Sequence, residues 1–241
     1  MKHRNNILQA ILGRRIEESN NQDNRIDFDK MWHRLMEISD DKWGMYAFAR
    51  EPLERKFTLE QKKEYINKAS ECGINWAKKI KEKYGTNAPF QIAEKMGMKV
   101  MMPKTPIGGG QVLFAQFVEP NEITIFTDCV EKGDKLYEQS NCEVLKAEKL
   151  LDILLAHELF HAIEELYAST IYTRTEKIEL WKKPFSNQSS IICLSEIAAM
   201  AFAKELLQLP CSPYVLDVLL VYGYDKKMAW ELYEEICEIE G

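Results

Sequence analysis

The sequence predicts an α+β fold, mostly helical with a small antiparallel sheet of about three strands. Three observations carry this. Apolar residues recur at helical spacing over 58–84 and again from Val144 towards the C-terminus. Between these regions, 99–127 holds short β-rich runs broken by Gly and Pro. Inside the second helical region lies His157-Glu158-Leu159-Phe160-His161, an H-E-x-x-H pattern that takes two of the four histidines in the chain.

The chain has 241 residues, a length that suits one domain with an extension. Hydrophobic residues make up 46% and charged residues 29%, an ordinary globular composition. Net charge is −6 and no basic run stands out, which argues against direct nucleic-acid binding. No apolar stretch approaches the roughly 18 residues of a membrane span, and the first twenty residues show no sustained apolar stretch and no cleavage site, so a secretory signal is not expected. The expectation is a cytoplasmic protein. The six cysteines show no C-x-x-C spacing and several sit in apolar helical patterns, so they read as buried free thiols.

In chain order, residues 1–56 are polar and broken. Met31, Trp32, Leu35, Met36 and Ile38 suggest one short amphipathic helix in a helical extension, whose apolar residues read as packing. The rest, 57–241, reads as the main domain. Thr58 and Gln61 have capping-box spacing before a long helix that Gly85 stops. Pro89 opens a short helix closed by Gly97, and Lys99 to Met102 reads as a strand. Gly108-Gly109-Gly110 lacks the lysine and hydroxyl residue of a phosphate loop and reads as a turn. Gln111–Val118 and Glu122–Thr127, joined by Glu119-Pro120-Asn121, form a hairpin candidate. From Val144 a helix carries the histidine pair. Ser169 to Gln188 reads as a polar, aromatic connection. An alanine-rich helix follows over Ser190–Leu209, stopped by Pro210, and two more helices cover Pro213–Tyr222 and Asp225–Ile239.

On a helix, His157 and His161 lie one turn apart on one face with Glu158 beside them. This is the ligand spacing of a zinc hydrolase, in which the glutamate is a base rather than a ligand and takes the proton of a water. A catalytic zinc needs a third protein ligand. A histidine six residues on is excluded, because that position is Tyr167, and His3 and His33 are far upstream. Glu164 and Glu165 follow on the same helix, a turn away from the metal. Glu196 is the better candidate, because a lone carboxylate on the apolar face of the following helix is costly unless paired or metal-bound. Tyr167 and Tyr172 are candidates to hydrogen-bond an oxyanion, with packing as the blander alternative.

HELFH followed by Glu196, Ala199, Phe202, Ala203, Leu206, Leu207 and Pro210, in the pattern E-x-x-A-x-x-F-A-x-x-L-L-x-x-P, resembles the ImmA/IrrE family of metallopeptidases. Trp76 to Tyr84 with Gly85, then Pro89, Ile92-Ala93-Glu94, Met96-Gly97 and Val100 extend the resemblance over about 65–210. It implies a mostly helical zincin-like peptidase core around a small sheet. It also implies zinc on His157, His161 and Glu196, Glu158 as base, and a protein substrate such as a DNA-binding repressor. Two positions depart from the family pattern. Phe160 stands where a small residue is usual, which would narrow the cleft, and Met200 stands where a polar residue often supports a histidine. These departures motivate an alternative reading, a zincin-fold module that binds and sequesters a partner with little or no catalysis.

Overall fold

A computed structural model describes residues 27–104, 113–181 and 187–239. The glycine run at 108–110, the first residues of the strand expected from Gln111, and residues 1–26 with His3 lie outside the described residues.

Helix α1 (Phe28–Met36) is capped by Asp27, whose carboxylate accepts from the Lys30 N–H at 3.1 Å. A second helix that the sequence did not suggest, α2 (Asp40–Phe48), is capped by Ser39. Both bury their apolar faces in the same hydrophobic cluster that holds the histidine-bearing helix: Met31, Leu35, Trp43, Tyr46 and Phe48 are all but inaccessible to solvent. Polar ties reinforce this packing. Tyr46 donates to Asp217 Oδ2 at 3.0 Å, and Lys42 Nζ donates to the Cys237 carbonyl at 2.8 Å.

The capping box at Thr58 is present in full: Gln61 N–H reaches Thr58 Oγ1 at 3.3 Å and Thr58 N–H reaches Gln61 Oε1 at 2.9 Å. It opens α3 (Leu59–Tyr84), which ends at Gly85 with φ of 67°, a left-handed conformation that glycine takes without strain. Helix α4 (Pro89–Lys95) follows, with Pro at its first position.

The three-stranded sheet consists of β1 (Lys99–Met101), β2 (Ala115–Val118) and β3 (Glu122–Ile125) in the order β1-β3-β2. The expected hairpin is the antiparallel β2–β3 pair, with Phe117 opposite Ile123. However, β1 runs parallel to β3, with Val100 beside Ile123, so the sheet is mixed where an antiparallel one was expected. A short turn forces β2 and β3 to be antiparallel, whereas β1 reaches the far edge of β3 through a longer connection that permits either direction. Residue alternation reports which face is buried and says nothing about the neighbour's direction.

Helix α5 (Thr127–Ser140) was hidden in the sequence by Gly133 at its middle. A Cβ there would lie 2.7 Å from Leu150 Cδ2, so the glycine allows α5 to close against the next helix. That helix, α6 (Ala147–Leu166), carries the histidine pair. The stretch expected as a connection contains a short helix α7 (Tyr172–Thr175) and a second, two-stranded antiparallel sheet of β4 (Lys177–Trp181) and β5 (Asn187–Ser190). Then come α8 (Cys193–Leu207), α9 (Val215–Tyr222) and α10 (Lys226–Glu238), the last capped by Asp225. α6, α8 and α9 are buried on nearly every side, as helices without a polar face must be. All six cysteines are free, four of them buried. No helix among the described residues is long and apolar enough to cross a membrane.

Candidate metal centre

Helix α6 sets two imidazoles on one face. His157 Nε2 and His161 Nε2 lie 3.1 Å apart. Helix α8 crosses them and brings the Glu196 carboxylate between the rings: Oε2 is 3.3 Å from His157 Nε2, and Oε1 is 3.7 Å from His161 Nε2. A tetrahedral ion held at about 2.0–2.1 Å by three such ligands separates them by about 3.3 Å. With one ligand atom taken from each residue, all three lie within 4.8 Å of one another, close to the spacing a metal needs. His157 and Glu196 are each 8% exposed, and this buried cluster could hold a metal ion.

Charge supports the same conclusion. Burial pushes the Glu158 carboxyl above the ordinary carboxylate range, against the lowering pull of His157 and His161. Burial also pushes Glu196 up, but its bond to His157 and the proximity of His161 outweigh this and hold it low. For His161, burial disfavours the charged ring, yet the nearby Glu164 carboxylate, 3.9 Å away, and the charges of Glu196 and Glu158 raise it to about 9. Three carboxylates thus surround two imidazoles. The centre is short of positive charge, which a divalent cation could supply.

The sequence reading missed the groups that orient His161. Ser195 Oγ lies 3.3 Å from His161 Nδ1 and donates to Glu164 Oε2 at 2.9 Å. A carboxylate only accepts, so the single hydroxyl proton of Ser195 goes to Glu164 and the serine oxygen is left to accept from His161 Nδ1–H. In the neutral ring that a metal requires, that bond keeps the proton on Nδ1 and leaves the Nε2 lone pair facing Glu196 and His157. Glu164 is fully buried and is itself held by Thr173 Oγ1 at 2.6 Å, with Arg174 Nε at 3.6 Å. Glu164 is therefore a support and not a ligand, and Glu165 is paired with Arg174. The signal in the sequence was the polar pair Ser195-Glu196 in the otherwise apolar run 193–203. His157 Nδ1 is buried without a partner among the described residues.

The two departures differ in outcome. Phe160 is fully buried and packs on Phe202 with ring centroids 5.7 Å apart, so it fills the core and does not narrow a cleft. Met200 lines a cavity of about 250 Å³ with Trp43, Ile197 and Tyr214. The two candidate tyrosines face α3: Tyr167 packs on Trp76 at 4.4 Å, and the Tyr172 hydroxyl, pushed up by burial, has Tyr65, Glu64 and Cys72 near it. His33 lies on α1, where its Nδ1 bonds the Asp29 carbonyl.

No protein-family model matches the chain, and no curated protein or solved structure matches it significantly.

Proposed function

We propose that the protein is a zinc-dependent endopeptidase in which His157, His161 and Glu196 hold the metal and Glu158 is the base. The observation that carries this reading is the convergence of three side chains, with the two Nε2 atoms 3.1 Å apart and the two oxygens of Glu196 at 3.3 and 3.7 Å from them, and with the buried carboxylate of Glu158 next in sequence to a ligand. Two imidazoles and one carboxylate suit zinc among the common divalent ions. When bound, zinc acidifies water and polarises a carbonyl.

The protein's own residues divide the remaining work. Glu158 accepts a proton on its carboxylate and returns it to the leaving amine; burial, by raising its affinity for the proton, suits it to both steps. Ser195 and Glu164 fix the His161 ring and its tautomer. Strand β2 is at an edge of the described sheet, and its Phe117 backbone N–H, which favours the ionised form of Glu158, sets that edge beside the base. An extended peptide paired with such an edge would run past Glu158. The resemblance to ImmA/IrrE peptidases supports a protein substrate, with a DNA-binding repressor as the class to test first. It also supports action in the cytoplasm.

The deciding experiment uses zinc-loaded protein, a proteome-derived peptide library and mass spectrometry of new N-termini, with Glu158→Gln beside the wild type. The expected result is cleavage by the wild type, and a variant that keeps its zinc while cleaving at least about a hundredfold more slowly. A Glu158→Gln protein as active as the wild type would sink the mechanism.

A further inference from the structure

Helix α8 carries Glu196 in its first turn, yet it has no cap of its own. Its boundary residue, Ile192, offers no side-chain acceptor, and the first N–H groups of any helix have no partner within it. The missing acceptor comes from 142 positions upstream. Glu51, only 4% exposed, places Oε2 3.0 Å from the Cys193 N–H. Its other oxygen accepts from the Leu53 N–H at 3.3 Å, which fixes the carboxylate itself. A buried anion at a helix N-terminus is favoured both by the hydrogen bond and by the helix dipole. Glu196 follows Cys193 by three residues, so this bond fixes the turn from which the third ligand projects.

The geometry points to Glu51 as a positioning residue of the metal centre: it touches no ligand and acts through the first turn of α8. The inference rests on the metal reading above and extends it. The segment before α3, which in sequence looks like an extension, supplies a structural part of the site.

The test compares Glu51→Ala, Glu51→Gln and Thr58→Ala with the wild type. Thr58→Ala removes the cap of α3, a loss of similar kind at a helix that bears no ligand. Two quantities are read: zinc affinity by competition with a chromophoric chelator, and the visible spectrum of the Co²⁺-substituted protein. Glu51→Ala is expected to weaken zinc by about 10- to 100-fold and to shift the cobalt bands. Glu51→Gln, whose amide oxygen still accepts from Cys193 N–H, recovers most of the affinity. Thr58→Ala melts lower but binds zinc within about twofold of the wild type, a difference that a merely structural role would not produce. If Glu51→Ala does not fold, Glu51→Asp, one methylene shorter, is read in the same assays. A Glu51→Ala or Glu51→Asp protein with wild-type affinity and spectrum overturns the inference and leaves the metal reading intact. A wild type that binds neither ion removes both.

Discussion

Gly73 is where the fold and the metal centre meet most directly. It lies at the middle of α3, against α8, and a Cβ built there would stand 2.1 Å from the Ala198 carbonyl oxygen and 2.9 Å from the Phe202 nitrogen. Both are backbone atoms of a buried helix, so no side chain can rotate aside. Restoring an ordinary contact of about 3.2 Å requires α3 and α8 to separate by about 1 Å at this crossing. Overpacking of this kind costs about 1–3 kcal/mol, and a backbone clash belongs at the upper end. Alanine's better helix propensity returns about 1 kcal/mol, so Gly73→Ala should destabilise by about 2 kcal/mol. At about 2–4 °C per kcal/mol for a chain of this size, the expected fall in Tm is about 4–8 °C. Ala198 is two residues from Glu196, so a shift of α8 in this separation displaces the carboxylate from its place beside His157 and His161 and weakens metal binding. Thermal unfolding followed by circular dichroism, with and without zinc, reads both effects. Gly44→Ala is the comparison, because the three atoms its Cβ would meet first all belong to the side chain of Ile66 rather than to a backbone. A Gly73→Ala protein that melts within about 1 °C of the wild type and binds zinc equally well would refute the claim that this close approach sets the position of α8.

Two further outcomes are expected. Ser195→Ala removes the acceptor of His161 Nδ1 and one donor to the buried Glu164; it should cost about 1–3 kcal/mol in urea unfolding and weaken zinc about tenfold, and an unchanged zinc affinity would show that Ser195 does not orient the ring. Asp217 is buried, and burial pushes its carboxyl up to about 7 from 3.8, against the Tyr46 hydrogen bond and the Arg50 charge, with Glu196 also raising it and His157 lowering it. In metal-free protein, folding therefore takes up a proton at Asp217, and its contribution to stability is complete below about pH 4 and lost as pH rises through about 7. At about 1.4 kcal/mol per unit, the loss is on the order of a few kcal/mol. Asp217→Asn should flatten the dependence measured by urea unfolding in chelator across this range, and parallel curves for variant and wild type would remove Asp217 as the cause.

The legible features were the local ones. The capping box at Thr58, the stops at Gly85 and Gly97, the β2–β3 hairpin and the register of His157 with His161 each depend on residues a few positions apart. Helix α5 was not legible, because a glycine at its middle, which faces Leu150, looks in sequence like a break. α2 was missed for a related reason: it is buried on most sides and shows little contrast between faces. Phe160 looked like an obstacle in the cleft because its place beside a ligand in sequence does not say which way its side chain points.

The sequence by itself determined that two imidazoles and a carboxylate share one stretch of helix, because a 3.6-residue repeat places i and i+4 together in any setting. It also narrowed the third ligand to a small set, because a carboxylate amid apolar neighbours needs a reason to be there. Only the tertiary structure decided that Glu196 reaches between the two rings, that Ser195 and Glu164 orient His161, that Glu51 caps the helix bearing Glu196, and that β1 runs parallel to β3. These contacts join residues from 31 to 142 positions apart or rest on a choice of strand partner. They are set by how helices and strands pack once formed, and no spacing along the chain encodes that choice.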